Sequence, residues 1–394
     1  MADLLITSGI DFARPSVASN GEASFVAVWI EPAASNVRAV AFRAAGLESN
    51  SFQVNTTQGG QQSLPVVARV GGPVPGFAVA WISRGRDLML QSCDTEGNQV
   101  AREIRVNTTD VSSEHKPALA GMLGGNIAVA WTDAVPDGGI RARIFKPDGR
   151  PVGGEIRVNT SPGVHFAPIM TELDPDGFAI AWQGGPQSGI SSVLVQAFDP
   201  EGTKLFREQG PRFLPSGTDM AIAFVTKEIN DEIGRFVIAY TSSTGTGSNP
   251  VSTVVAALFN ADGSEGHSTN VTHRADRTHA ADVAVRGLPN GRIVVTWDER
   301  STRIIGGARR DRDIKAMVLQ QQGSSPSDRI LIPSVGPVRV NQVREEGQFS
   351  PGVAMVLDAQ NRENIGIVWN DDDPASNDSS VRALKARVLS DTLA

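Results

Sequence analysis

The chain has 394 residues, 40% of them hydrophobic, with 40 glycines and 23 prolines, which suits an ample core built from many short strands and tight turns. Its net charge of −7 argues against a nucleic-acid partner. No apolar run approaches the roughly 20 residues of a spanning helix, so membrane insertion is not expected. The N-terminus lacks the basic start and apolar run of a signal peptide, so none is expected.

One apolar motif with an aromatic end recurs seven times along the chain. Residues 77–81, 127–131 and 178–182 are its clearest copies. The seven ends use all six Trp and the one Tyr: Trp29, Trp81, Trp131, Trp182, Tyr240, Trp297 and Trp369. Successive ends are 52, 50, 51, 58, 57 and 72 residues apart. A period of this length indicates a repeat architecture, with insertions in the last three copies.

Each repeat contains three further segments. A short apolar segment, often opened by proline, precedes the motif, as at residues 65–68, 117–120 and 168–170. A third segment follows it, as at residues 140–145, and leads to an Asp-Gly turn or a related one. The fourth segment ends in Val-Asn-Thr at residues 54–56, 106–108 and 158–160. Short segments rich in β-branched residues and bounded by turn residues favour strands over a helical solenoid.

The motif strand is apolar on both faces. Phe77, Val79 and Trp81 point to one face, and Ala78 and Ala80 point to the other, because successive side chains of a strand alternate. A half-solvated sheet would instead alternate apolar with polar residues. One bulky and one small apolar face are typical of sheets stacked on one another.

These features predict an all-β, seven-bladed β-propeller of four-stranded blades, forming a single domain over residues 1–394. The last repeat ends with its third strand at residues 384–389, and residues 3–8 lie where a fourth strand is needed. The N-terminal strand is therefore predicted to close the last blade and to cover its edge. The predicted blades are residues 10–56, 57–108, 109–160, 161–215, 216–272, 273–341, and 342–394 with 1–9.

One face of this fold is predicted to be elaborated, and we call it the decorated face. It carries the loops between second and third strands, including the long insertions 241–253, 298–313 and 370–380. It also carries the connections that enter each first strand, with polar residues at Gln62, Glu114, His115, His165, His279 and Gln348. Function commonly resides on such loops, so the binding site is expected here.

The candidate ligand contacts on that face are Trp81, Trp131, Trp182, Gln62, His115, His165, His279, Gln348, Arg309 and Arg310. For the aromatic ends, packing between blades is favoured over stacking on sugar rings. For the histidines, loop-capping or channel-lining roles are favoured over ligand contact, and ligand contact over a metal. The arginines lie in a loop that also contains Asp and Glu, so a salt-bridged loop is favoured over a site for an anionic ligand.

No catalytic, metal or cofactor signature is present, so no enzyme activity and no cofactor are expected. The acidic residues at 370–378 lack the spacing and glycine of a recognised calcium loop, which favours a solvated turn. Asn-x-Ser/Thr triplets begin at Asn55, Asn107, Asn159 and Asn270, where strand-end hydrogen bonding is favoured over glycosylation. The only cysteine, Cys93, falls where other repeats carry Phe or Leu, so a buried apolar role is expected.

The full repeat pattern resembles repeats of large secreted bacterial surface and adhesin-like proteins, most closely over residues 60–160. The resemblance implies an extracellular binding role, with glycans as one ligand class, and by looser analogy a virion or tail component. The first hypothesis is a non-enzymatic recognition or adhesion module for a glycan or protein surface, located outside the cell, on its surface or on a virion. The alternative is a structural or assembly component of a phage particle or surface apparatus, as a homo-oligomer or within a larger assembly, and the third hypothesis is a glycan-active hydrolase.

Overall fold

The computed structural model describes twenty-nine β-strands and the turns between them, with no α-helix among the residues it describes. Those residues are 4–10, 15–21, 24–31, 34–43, 46–47, 50–57, 59–134, 139–173, 176–185, 190–205, 209–215, 219–225, 235–244, 251–260, 265–272, 278–288, 291–301, 312–323, 330–341, 348–357, 362–372, 382–390 and 392–393. Within these ranges no helix has the length and apolar character needed to cross a membrane.

The strands form seven antiparallel blades, and the fold is an all-β, seven-bladed β-propeller, as the seven motif copies predict. The chain divides into two compact units. One unit comprises Ser16–Ser216 with Ala261–Ser264, and the other comprises Met1–Pro15, Gly217–Asn260 and Glu265–Ala394. The first contains blades one to four and the second contains blades five to seven.

Strand β1 (Leu4–Ile10) precedes blade one and belongs to blade seven. Blade one contains β2 (Ser16–Gly21), β3 (Ser24–Glu31), β4 (Asn36–Arg43) and a fourth strand in two pieces, β5 (Gly46–Leu47) and β6 (Phe52–Gln53). Blade two contains β7 (Gln62–Val70), β8 (Gly76–Ser83), β9 (Asp87–Asp94) and β10 (Ile104–Arg105). Blade three contains β11 (Ala118–Gly121), β12 (Ile127–Thr132), β13 (Ile140–Phe145) and β14 (Ile156–Arg157). Blade four contains β15 (Val164–Leu173), β16 (Gly177–Gly185), β17 (Ile190–Phe198) and β18 (Gln209–Pro215).

Blade five contains β19 (Met220–Val225), β20 (Arg235–Thr244), β21 (Val251–Asn260) and β22 (Glu265–Asn270). Blade six contains β23 (Thr278–Gly287), β24 (Ile293–Ser301), β25 (Arg312–Gln322) and β26 (Ile330–Arg339). Blade seven contains β27 (Gln348–Leu357), β28 (Glu363–Asp372) and β29 (Arg382–Ser390), and β1 pairs with β29 as its fourth strand. Leu4 lies opposite Ala386 and Ile10 lies opposite Arg382, which confirms closure by the N-terminal strand.

Neighbouring blades of each unit pack bulky faces on small ones. Ala78 and Ala80 of blade two share a core cluster with Ile127, Val129 and Trp131 of blade three. The same arrangement joins Ala128 and Ala130 to Phe178, Ile180 and Trp182, and in the other unit Val237 and Ala239 to Ile293, Val295 and Trp297. The alternation within the motif therefore determines how successive sheets stack.

In blades one, two, three and six, the Asn that follows Val at the end of the fourth strand ties that strand to the third strand of the same blade. Asn55 Oδ1 accepts a hydrogen bond from Val37 N at 2.8 Å. Asn107, Asn159 and Asn341 accept equivalent bonds from Leu88 N, Ile140 N and Ile314 N at 2.7, 2.9 and 2.8 Å. These amides are buried and serve the backbone, which agrees with strand-end bonding at the sequons of Asn55, Asn107 and Asn159.

The Thr of the same motif links one blade to the next. Glu103 of blade two accepts bonds from the N–H groups of Thr56 and Thr57 in blade one, at 2.6 and 3.1 Å. Glu155 of blade three accepts the N–H and hydroxyl of Thr108 in blade two, at 2.6 and 2.7 Å. The Glu at the start of the fourth segment therefore connects its blade to the preceding one through charge-assisted hydrogen bonds.

The insertions of blades five to seven begin as continuations of the sheet. Thr244 pairs with Val251, Arg300 with Arg312, and Asp372 with Arg382. The expectation that these insertions are loops from residues 241, 298 and 370 is therefore wrong for their first and last residues, which are paired as strands. The hydrogen bonds between the second and third strands continue there and satisfy the added backbone groups. The tips at 245–250, 302–311 and 373–381 lie outside the described residues.

Candidate functional site

The aromatic motif ends lie at the decorated face, but their rings are buried. Trp81 and Trp182 are 0% exposed and Trp131 is 2% exposed. Each ring belongs to a core cluster shared with the preceding blade. This burial favours inter-blade packing over stacking on a ligand for all three.

Two of the predicted polar contacts hold these rings in place. Gln62 Oε1 accepts the Trp81 indole N–H at 2.9 Å, and Gln62 Nε2 donates to Gly60 O at 3.0 Å. In blade four, His165 Nδ1 accepts the Trp182 N–H at 3.0 Å, and Nε2 lies 3.0 Å from Ser161 O. With Nδ1 as acceptor, the proton of His165 resides on Nε2, so both ring nitrogens are engaged and the imidazole is neutral.

Blade three lacks the corresponding acceptor. Gln62 and His165 lie opposite Ser83 and Gly184, two residues beyond the motif Trp. In blade three the residue opposite Asp133, at that same position, is Val111. Val111 is 2% exposed and has no acceptor, so the Trp131 indole N–H is buried without a hydrogen-bond partner.

His115 does not take the position that His165 occupies next to a motif Trp. It lies against the first strand of blade four. Its ring centroid is 5.2 Å from that of Phe166, with an interplanar angle of 39°. Both side chains are half-buried, and His115 Nδ1 is buried without a hydrogen-bond partner. Burial lowers the pKa of His115 below its ordinary value, and the Glu114 carboxylate opposes that shift. The repeat pattern does not mark Phe166 as a partner of His115, because the same position is Ser63 in blade two, Ala280 in blade six and Phe349 in blade seven.

The remaining predicted contacts are not placed by the structure. The side chains of His279 and Gln348, and all atoms of Arg309 and Arg310, lie outside its described part, as do residues 373–378 of the proposed calcium loop. The backbones of His279 and Gln348 belong to β23 and β27. At the base of the arginine-rich hairpin, Arg312 lies 3.7 Å from the buried Asp298 carboxylate. Where it is described, this hairpin is salt-bridged.

Buried carboxylates near the ends of second strands pair with cations on third strands. Arg141 bridges Asp133 at 2.5 Å and Glu155 at 3.4 Å within blade three. In blade seven, Lys385 pairs with Asp371, which is 1% exposed. A buried carboxylate paired in this way has a structural role.

Asp219, Asp282 and Ser350, from three successive blades of the second unit, are linked by hydrogen bonds. Asp219 Oδ2 accepts Asp282 N at 3.1 Å, and Asp282 Oδ2 accepts the Ser350 hydroxyl at 2.8 Å. Asp282 and Ser350 have φ of 49° and 53° at irregularities of β23 and β27. Leu64 and Ala167 have the same left-handed backbone, with φ of 52° and 54°, at the equivalent irregularities of β7 and β15, so this conformation belongs to the repeat. Because Asp219 and Asp282 are 63 residues apart, no local motif in the sequence points to this pair.

Cys93 is buried, as its place in the repeat predicts. Burial, assisted by the charge of Asp94, raises the pKa of its thiol to about 12, so it is not a nucleophile at neutral pH. Within the described ranges, no group of three or more His, Cys, Asp or Glu side chains is arranged to hold a metal ion.

No family model matches the chain, and no curated protein sequence matches it. Among solved structures, the GH93 α-L-arabinofuranosidase of Fusarium graminearum in complex with arabinobiose has a TM-score of 0.51 at 10% identity, covering 99% of this chain and 98% of that one. A mutant of AofleA from Arthrobotrys oligospora has a TM-score of 0.50 at 14% identity, covering 86% and 92%. The fucose-specific lectin of Aleuria aurantia has a TM-score of 0.46 at 13% identity, covering 86% and 97%. At these identities the likeness shows the fold alone.

Proposed function

We propose that this chain is a glycan-recognition propeller that binds its ligand on the decorated face without catalysing a reaction. The observation that carries the proposal is the half-buried His115–Phe166 pair on that face. Small-molecule sites combine apolar and aromatic surface with a few polar groups that fix orientation, and a sugar ring offers C–H faces and hydroxyls to both. The arabinobiose bound by the arabinofuranosidase of similar fold supports a glycan as the ligand class.

The test is a glycan array probed with the labelled full chain, with heat-denatured chain as the control. We expect binding to a restricted set of glycans by the native protein alone. A blank array for the native chain would contradict the proposal. We further propose that the protein acts outside the cell, on its surface or on a virion, which immunogold labelling of intact particles would test.

Glycan hydrolysis is the second candidate function, and it is supported by the hydrogen bond that brings Asp282 of blade six beside Asp219 of blade five. Glycosidases use two carboxylates on opposite sides of the scissile bond, one as an acid and the other as a base or nucleophile. Release of reducing sugar from arabinan or related polysaccharides, abolished by Asp282→Asn, would replace recognition with catalysis as the function.

A structural or assembly role is the third candidate, and it is supported by the second and third strands of blades five to seven, which stay paired up to the insertions and would hold them in place for contact with a neighbouring subunit. Sedimentation of the full chain tests this role. A defined oligomer that dissociates when residues 245–250 and 302–311 are replaced by short Gly-Ser turns would support it. A monomer at all concentrations would count against self-assembly.

A further inference from the structure

The connection into blade three departs from its neighbours at the decorated face. In blades two and four, two residues (64–65 and 167–168) separate the two stretches in which the first strand pairs with the second. In blade three, six residues (112–117) lie between Val111, which pairs with Asp133, and Ala118, which pairs with Ala130. Residues 112–117 therefore leave the sheet as a loop, which we call the blade-three loop.

Both ends of the blade-three loop are held in place, and the residues between them are exposed or half-buried. At its start, Ser112 N donates to Thr132 O at 2.9 Å, and at its end Pro117 is buried. Between these anchors Glu114 is exposed, and His115 lies against Phe166 of the next blade. The loop thus has a defined position and presents a carboxylate and an imidazole side by side.

Blade four supplies the apolar part of the same surface. Val164 and Phe166 are two residues apart in β15, so their side chains share one face of the strand. Phe166 contacts His115, which establishes that this face is turned toward the blade-three loop. Val164 is 53% exposed, an unusual position for a valine in a strand of this unit.

The departure also leaves polar groups unsatisfied that the neighbouring blades satisfy. Trp131 Nε1 and His115 Nδ1 are both buried without hydrogen-bond partners, whereas the indoles of Trp81 and Trp182 are bonded. Unpaired buried polar atoms are destabilising. A departure from the arrangement of both neighbouring blades that carries such a cost is expected at functional sites.

We propose that Glu114, His115, Val164 and Phe166 form a binding site for one residue of a neutral glycan. This inference rests on the proposed recognition function and assigns it to one place on the decorated face. The C–H face of the sugar lies on Phe166 and Val164, the Glu114 carboxylate accepts hydroxyl hydrogen bonds, and Nε2 of His115 bonds a further hydroxyl. The exposed carboxylate of Glu114 repels uronic acids, which selects neutral sugars. Among blades two to four, only blade three is expected to provide such a site, because blades two and four use their equivalent polar side chains internally.

The experiment measures binding of the full chain to neutral oligosaccharides, arabinobiose among them, with glucuronate-containing oligosaccharides as the charged comparison. We expect saturation at one ligand per chain by calorimetry. His115→Ala and Phe166→Ala are expected to weaken binding at least 10-fold, and Glu114→Gln at least 3-fold. Leu205→Ala, at a residue 56% exposed in blade four and away from this surface, is the matched control with unchanged affinity.

The outcomes separate this site from the proposed function. If the native chain binds neutral glycans and all three variants bind equally well, the site is elsewhere and the inference fails while recognition stands. Glu114 is exposed, so Glu114→Gln remains informative if a ring substitution impairs folding. Binding of glucuronate-containing ligands alone would overturn the neutral-sugar assignment. If the native chain binds nothing, the recognition function fails first, and this site with it.

Discussion

The substitution Gln62→Leu tests whether the hydrogen bond beneath a motif Trp stabilises its blade. The Trp81 ring is 0% exposed and Gln62 is 2% exposed, so water does not replace the lost acceptor. Leucine fills a volume close to that of glutamine, which isolates the loss of the 2.9 Å bond from the cost of a cavity. The Gly60 carbonyl, which also loses a donor, is on an exposed residue and rebinds water.

The expected loss of stability is the cost of one unpaired buried donor, about 1–3 kcal/mol. At about 2.1 cal/mol/K per residue, a chain of 394 residues has an unfolding entropy of about 0.8 kcal/mol/K. The melting temperature is therefore expected to fall by about 1–4 °C. Differential scanning calorimetry and urea unfolding of the two proteins measure this difference.

The matched control is Gln61→Leu, at the exposed neighbouring glutamine, with an expected change within about 0.5 kcal/mol. The converse substitution, Val111→Gln, places an acceptor opposite Asp133 in blade three, where the Trp131 N–H has none, and is expected to stabilise the chain. If Gln62→Leu costs no more than Gln61→Leu, the indole bond does not hold blade two, and the reasoning about blade three is refuted with it.

Three further predictions concern the core and its closure. Ile6→Asp should destabilise the chain by at least about 3 kcal/mol in urea unfolding, because Ile6 is only 9% exposed. Leu5→Asp, at a residue that is 54% exposed, should cost less than about 0.5 kcal/mol in the same assay. Equal effects of the two substitutions would mean that β1 is not packed. Gly121→Ala should prevent folding or cost several kcal/mol, because the added Cβ would overlap the backbone of blade two. Gly153→Ala, which has open space around it, should be neutral in the same assay. The Cys93 thiol should resist a disulfide reagent at pH 8 until the chain is unfolded, because burial raises its pKa to about 12; rapid labelling of the native chain would show that the blade opens.

The blade count and the closure of blade seven were predictable because they depend on local patterns. A strand that must be buried on both sides has apolar residues at every position, and its partner sheets require one bulky and one small face. Those demands are visible at residues 77–81 and recur at each motif. The missing strand of the seventh repeat could be recognised by counting, and β1 supplies it.

The roles of individual polar residues were not predictable in the same way. His115 and His165 are similar in sequence context, yet His165 is locked between Trp182 and Ser161, whereas His115 rests on Phe166 of another blade. The difference arises from the register at which each first strand joins its sheet, and Val111 takes the position that pairs opposite Asp133. Val111 is the one apolar residue in the connection 109–116, which is the signal in the sequence that marks this change.

The sequence by itself determined that this chain forms seven sheets of four strands. A strand that is buried on both faces needs an apolar residue at every position, and this local pattern recurs in each repeat. Only the tertiary structure decided which polar side chains serve the fold and which do not. Hydrogen-bond partners such as Trp81 for Gln62, and contacts such as Phe166 for His115, depend on side chains brought together from separate strands or blades. A pairing of that kind has no local signature, since a shift in strand register changes the partner without changing the motif.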